Sequence, residues 1–165
     1  MASGLRLVTV TPENVGEACR LRVRPEQRDM VAPVAWSLAE AYVHGEKAWP
    51  RVVCDGDQLV GFVMAAFDAE TAPKRCGIWR LNIAADHQRR GYGRFAVEAV
   101  CREVLRRGGQ RLSVRWVPDE HGPEDFYRRL GFQPTGQIIH GEVEAELLVT
   151  ENSTPAGLPA RPDRG

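Results

Sequence analysis

The stretch Cys76-Gly77-Ile78-Trp79-Arg80-Leu81-Asn82-Ile83-Ala84, followed after a short turn by Gln88-Arg89-Arg90-Gly91-Tyr92-Gly93, decides how this chain folds. The first segment reads as a strand. The second is a glycine-spaced loop that opens an amphipathic stretch, where apolar residues at 92, 95, 96, 99, 100 and 104 keep the 3.6-residue period of a helix packed on a sheet. Strand, tight loop and helix in that order make an anion site. Glycines let backbone N–H groups approach a ligand that a Cβ would hold off, and the helix start adds unpaired N–H groups and the positive end of its dipole. A pyrophosphate suits such a site. Gln88 and two arginines stand where a dinucleotide fingerprint needs glycines, and no Gly-Lys-Ser/Thr follows as in a P-loop, so both of those motifs are excluded.

Upstream, Leu5 to Val10 alternates as a strand, and Thr11-Pro12-Glu13 supplies an N-cap, a first-turn proline and an acid for a helix to about Arg22. Residues 24 to 36 read as a loop, and Ser37-Leu38-Ala39-Glu40 as a capping box that starts a second helix through about His44. Arg51 to Cys54 and Gln58 to Phe67 are strands joined through Asp55-Gly56-Asp57, a hairpin signal because Asp-Gly tolerates positive φ. A polar loop, 68 to 75, leads into the Cys76 to Ala84 strand. On the polar face of the long helix, Glu98 and Arg102 are spaced as an i,i+4 ion pair, which makes most of its basic stripe a solvated face. Gly108-Gly109 ends that helix, and Arg111 to Val117 is a fifth strand. Pro123 to Leu130 is a fourth helix closed by Gly131, and strands near Phe132 to Thr135 and Glu142 to Val149 complete a mixed sheet. The expectation is one α/β (α+β) domain over residues 1–149, about seven strands with four helices packed on the sheet. Residues 150–165, with Pro155, Pro159 and Pro162, are expected to form a disordered tail.

Bulk properties narrow the function. At 165 residues, 43% hydrophobic, 27% charged and a formal net charge of +0, the chain has the composition of a soluble globular domain and no electrostatic case for nucleic acid or an anionic membrane. Without an 18-residue apolar run or a signal-peptide pattern, the expected location is cytoplasmic. Cys19, Cys54, Cys76 and Cys101 show neither CxxC nor Cys/His ligand spacing, so no metal site and no disulfide framework is expected. Cys54 and Cys76 read as small hydrophobes in strands; a cysteine nucleophile is the alternative and requires an activating base.

Two motifs carry a family resemblance. Gln88-Arg89-Arg90-Gly91-Tyr92-Gly93 matches the Q/R-x-x-G-x-G/A signature of the GNAT superfamily of acetyl-CoA-dependent N-acyltransferases. Phe126-Tyr127-Arg128-Arg129-Leu130-Gly131-Phe132 resembles its second hallmark, an aromatic-Tyr-x-x-Leu-Gly-Phe segment, and the likeness spans roughly residues 5 to 149. The resemblance implies a mostly antiparallel sheet in which the strand Leu81-Asn82-Ile83 splays from its neighbour and offers backbone groups to pantetheine. It implies that N–H groups from about Arg89 through Arg90, Gly91, Tyr92 and Gly93 to Arg94 wrap the pyrophosphate of acetyl-CoA, with arginine contacts to phosphate. It also implies that Tyr127 protonates the departing thiolate; packing in the core is the alternative for that residue. Three positions depart from the family pattern: Gly77 where many relatives carry a glutamate, Glu120 in place of an asparagine, and Pro123 in place of a small residue.

The implied acceptor is a small-molecule amine, with a homodimer left open and neither nucleic acid nor membrane as a partner. Holding an aliphatic amine neutral near pH 7 costs about 4.6 kcal/mol, from a pKa of about 10.4, so a base or a water chain must assist; Glu26, Glu120 and Glu142 are the candidates. The segment Arg24-Pro25-Glu26-Gln27 through Tyr42 resembles the acceptor side of a subgroup related to polyamine acetyltransferases. Glu142, Glu144 and Glu146 alternate along one strand face, either as an acidic ladder for a polycation or as a strand edge kept soluble by charge. Trp36 and Trp79 are placed either to stack on an ammonium group or in the core. A protein or peptide amine, and a non-catalytic acyl-CoA-binding regulator, are the alternatives to a small-amine acetyltransferase.

Overall fold

The computed structural model describes residues 4–68, 70 and 75–151. Seven strands form one sheet in the order β1-β2-β3-β4-β5-β7-β6. They are β1 (Leu5–Thr9), β2 (Ala48–Asp55), β3 (Gln58–Asp68), β4 (Arg75–Ile83), β5 (Arg111–Trp116), β6 (Gln133–Ile139) and β7 (Glu142–Leu148). Every neighbouring pair is antiparallel except β4 and β5, which run parallel. Helices α1 (Val15–Arg20) and α2 (Val34–His44) lie on one face, α3 (Tyr92–Arg106) and α4 (Glu124–Arg129) on the other.

Strand alternation divides the core between the two faces. Val52, Phe62 and Met64 pack with Ala18 and Val34 under α1 and α2, whereas Val53, Val63, Ile78 and Val114 pack with Val97, Val100 and Val104 of α3. The buried side of α3 is wider than the sequence stripe, taking in Val97 and Cys101 as well. The expected Glu98–Arg102 pair does not form. Glu103 instead receives hydrogen bonds from Arg106 (2.6 Å) and Arg107 (2.7 Å), and the Arg107 guanidinium lies 4.0 Å from the Phe67 ring centroid, tying α3 to β3.

Three boundaries differ from expectation for local reasons. The Thr11 carbonyl accepts from the Val15 N–H (2.9 Å), but residues 12–14 are turns and regular helix begins after Asn14. Helix α2 starts a turn before the expected capping box. Pro33 is its N-cap, Ser37 is fully buried inside the helix with its hydroxyl donating to the Pro33 carbonyl (3.3 Å), and Glu40 pairs with Arg80 of β4 (2.8 Å). Strand β6 runs on to Ile139, because His140 (φ 53°) and Gly141 (φ 84°) make a tight two-residue turn into β7. The expected tail lies, beyond Glu151, outside the described residues, as do 69 and 71–74 of the polar loop before β4. No helix among the described residues is long and apolar enough to cross a membrane.

Candidate active site

Strands β4 and β5 pair at two positions only, Gly77 with Ser113 and Ile78 with Val114. On its other side β4 stays paired with β3 as far as Ile83 opposite Gly61. Beyond Ile78 the β5-facing side of β4 therefore has no strand partner, which leaves backbone groups for a peptide-like ligand. A cavity of about 900 Å³ opens at this divergence. Leu81 and Ile83 form one wall, Trp116 and Val117 the opposite wall, and Phe126 and Tyr127 of α4 close one side. The segment from Val23 to Val31, between α1 and α2, closes another.

The loop between β4 and α3 is concave because of two left-handed residues, Arg89 (φ 62°) and Gly91 (φ 87°). Such alternation turns successive N–H groups inward. A non-glycine residue in the left-handed region costs about 1–2 kcal/mol, so something must hold Arg89 in place. Gln88 anchors the loop just before it: its Nε2 donates to the Ile83 carbonyl (3.0 Å) and to Gln27 Oε1 (2.6 Å), and Gln27 Nε2 donates back to Gln88 Oε1 (3.2 Å). On the other flank the Tyr92 hydroxyl donates to Asp55 Oδ2 (2.8 Å) at the end of β2. The two glycines of the motif do different work. A Cβ on Gly91 would meet nothing within 4 Å, so this residue supplies a backbone conformation and open approach. A Cβ on Gly93 would lie 3.2 Å from the Phe126 ring, so that residue permits α3 and α4 to pack together.

Tyr127 is 5% exposed and lines the cavity. Its ring lies parallel to Trp116 (centroids 5.8 Å apart, planes at 10°) and meets Phe126 and Phe132 edge-on at 5.0 and 5.4 Å. Burial alone raises its pKa well above the ordinary phenol value, so the hydroxyl keeps its proton at any physiological pH. No cysteine lines the cavity. Burial pushes the Cys101 thiol up to about 11 and the Cys54 thiol in the same direction, so neither is an activated thiolate. Among the described residues no group of three metal-ligating side chains comes together.

The structure thus gathers Leu81, Ile83, Arg89, Gly91, Tyr92, Gly93, Arg94, Tyr127 and Glu26 around one cavity. Asn82 and Arg90 are not part of its lining; Asn82 is 3% exposed, with Nδ2 donating to the Ala32 carbonyl (3.1 Å) ahead of α2. Trp36 is also elsewhere, 64% exposed on α2 with Nε1 donating to Glu40 (3.1 Å), and Trp79 packs edge-on against His44 in the second core. The acidic ladder on β7 is not an edge, and two of its three carboxylates are engaged. β7 lies between β5 and β6, Glu144 pairs with Arg115 and Glu146 with Arg111, each at 3.2 Å, and neither Glu142 nor Glu144 lines the cavity. A Cβ on Gly77 would lie 3.0 Å from Ser113 Oγ, so a side chain at this position would require the serine to shift. Arg115, Trp116, Met30 and His87 line the cavity without having been singled out in the sequence. Trp116 ends an alternating apolar strand, Leu112-Val114-Trp116, and that pattern reads as core.

The acetyltransferase (GNAT) family model matches residues 24–132. No curated protein matches the sequence. Among solved structures, an acetyltransferase from Thermus thermophilus is 21% identical with a TM-score of 0.70, covering 87% of this chain and 96% of its own. The ribosomal-protein-S18-alanine N-acetyltransferase of Escherichia coli is 18% identical with a TM-score of 0.65, covering 90% and 97%. A GNAT family acetyltransferase from Elizabethkingia anophelis, solved with acetyl-CoA bound, is 13% identical with a TM-score of 0.61, covering 88% and 98%. At these identities the neighbours establish the fold, a mostly antiparallel open sheet flanked by four helices, while the family match spans both the loop at 88–94 and the Tyr127 segment. The chain belongs to the acetyltransferase (GNAT) family, whose acetyl donor is acetyl-CoA.

Proposed function

We propose that this protein transfers the acetyl group of acetyl-CoA to a small primary amine by direct attack in a ternary complex, with Tyr127 as the general acid. The carrying observation is that Tyr127, buried and proton-bearing, lines the cavity where β4 leaves β5. The loop from Arg89 to Arg94 fits the pyrophosphate through its inward N–H groups and the start of α3, and the unpaired edge of β4 at Leu81 and Ile83 fits the amide-bearing pantetheine arm.

In the reaction the amine nitrogen attacks the thioester carbonyl carbon and the carbon–sulfur bond breaks. The Tyr127 hydroxyl gives its proton to the leaving sulfur, and the proton lost by the nitrogen passes to water, from which the phenolate is reprotonated. Burial makes this phenol a weaker acid, and the same exclusion of water raises the basicity of the thiolate that takes its proton. Direct attack is favoured over an acyl-enzyme because no cysteine reaches the cavity. On the acceptor side Glu26 lines the cavity and carries no ion pair among the described residues, whereas Glu144 and Glu146 of β7 pair with arginines and Glu142 lies outside the cavity lining. A cationic, polyamine-like amine meets a carboxylate at Glu26, with Glu120 and Asp125 lining the same cavity.

Single-turnover reaction of acetyl-CoA with a panel holding spermidine, a diamine, a monoamine and a peptide with a free N-terminus tests this reading. Rapid acetylation of the di- and polyamines is expected. Preference for the peptide would move the protein to the protein-acetylating class, and acetyl-CoA binding without transfer to any amine would make it a regulator.

A further inference from the structure

Helix α2 turns one apolar side to the core and another to solvent. Val34, Leu38 and Ala41 belong to the core shared with α1, while Ala35, Trp36, Ala39, Tyr42 and Val43 are exposed. With about 3.6 residues per turn, the exposed five fall in one sector about 120° wide, and no charged residue stands among them. Trp36 is 64% exposed, Tyr42 90% and Val43 78%, which makes three of the six exposed large apolar side chains among the described residues. The other three, Val117, Ile138 and Leu148, are spread over separate segments. A helix apolar on both sides is ordinarily covered on both sides. None of the five lines the cavity, so this surface is distinct from the candidate active site.

Polar groups beside the stripe already have partners. Trp36 Nε1 donates to Glu40 Oε1 (3.1 Å), Glu40 Oε2 accepts from Arg80 (2.8 Å), and His44 lies edge-on to Trp79. Covering the stripe therefore strands neither the indole donor nor the carboxylate charge. Its layout fits a second copy of itself. Ala39 stands at the middle, with Trp36 about one turn before it and Val43 about one turn after, so two antiparallel α2 helices can meet at Ala39 and set each Trp36 beside the other copy's Val43. The five side chains expose about 500 Å² per copy, so a pair would bury about 1,000 Å², the least that a specific interface needs. A formal net charge of +0 leaves no long-range repulsion between two copies, and α2 has no lysine or arginine to favour an anionic lipid surface. We propose that the outer face of α2 is a self-association surface, on which two copies of this chain pack antiparallel across a two-fold axis at Ala39. The proposal is independent of the reaction proposed above.

Sedimentation equilibrium of the full chain tests it. A monomer–dimer equilibrium is expected, with a Kd of about 1 to 100 µM for so small an interface. Ala39→Lys and Ala39→Asp each bring like charges together at the axis, so each should weaken dimerisation at least about 10-fold with the helical circular dichroism signal unchanged. An equimolar mixture of the two variants should dimerise again, because opposite charges then meet. Val43→Asp, at the edge of the stripe, should weaken the dimer too and serves if a variant at 39 does not fold. A wild type that stays monomeric at about 200 µM overturns the proposal, as does a dimer that these substitutions leave intact. Weakening without recovery on mixing overturns the axis at Ala39. A monomer that floats with neutral phospholipid vesicles would make the stripe a lipid contact and overturn the proposal as well.

Discussion

In the proposed reading, the half of the cavity that takes acetyl-CoA is made largely of backbone, and the half left for the amine largely of side chains. On the donor side the shaping features are two left-handed residues, an unpaired strand edge and a helix start. On the acceptor side they are Glu26 and Met30, together with Arg115, whose charge is engaged by Glu144. A backbone site accepts any side chain that permits its φ angles, so the CoA half can persist while sequence drifts. A side-chain site changes with each substitution, which is why one fold can serve many amines. The Gln27–Gln88 amide pair joins the two halves, linking the segment before α2 to the loop before α3.

Tyr127, placed where the halves meet, should give the largest effect. Tyr127→Phe keeps the stack on Trp116 and removes only the hydroxyl, so kcat should fall about 10² to 10⁴-fold with CoA affinity little changed. Because the phenol is held protonated, wild-type activity should rise with pH as the amine deprotonates, with no loss from Tyr127 ionisation up to about pH 10. Full activity in Tyr127→Phe would return the residue to core packing.

The backbone half is probed by Gly91→Val. Nothing crowds the new Cβ, but φ 87° is hostile to a β-branched residue and the N–H cradle is disturbed. CoA affinity measured by calorimetry should fall about 100-fold or more in a chain that still folds. Unchanged affinity would break the claim that this loop is the phosphate site.

Charge on the acceptor side separates two glutamates that look alike in sequence. Glu26→Gln should raise KM for a diamine about 5- to 10-fold and the KM of a monoamine less, with the difference shrinking as salt rises. Glu144→Gln should leave both KM values nearly unchanged, since its carboxylate already serves Arg115. The reverse result would restore the β7 ladder as the amine site.

The smallest effect lies away from the cavity. The Arg106 guanidinium, with help from Arg107, holds the Glu103 carboxyl down at about 2, so this group stabilises the fold above its unfolded pKa of about 4.5 and ceases to as pH falls toward 2. Solvent screening at Arg106 limits the gain to about 1 kcal/mol. Glu103→Gln should flatten that part of the acid-unfolding curve and leave acetyl transfer intact.

The same contrast explains what could be read from the chain alone. Glycine spacing, a strand and a helical period encode backbone conformation locally, so the turn at 88–93, all seven strands and the helix carrying Tyr127 were legible. Partners distant in sequence were not. Ser37 and Glu40 mimic a capping box, but Ser37 is drawn to the Pro33 carbonyl inside the helix and Glu40 to Arg80, forty residues away. The alternation of Glu142, Glu144 and Glu146 is visible, whereas Arg111 and Arg115 on the facing strand are found only once β7 is known to sit beside β5. Trp116 was hidden by its own apolar pattern, since alternation reads the same in a cavity wall as in a core.

Amide hydrogen exchange with and without acetyl-CoA tests most directly whether the cavity between β4 and β5 is where the donor binds. Exchange should slow at Leu81, Ile83 and across 89–94 while β6 and β7 stay unchanged. Protection that fell elsewhere, or no protection along β4 and the loop despite saturating ligand, would contradict the assignment.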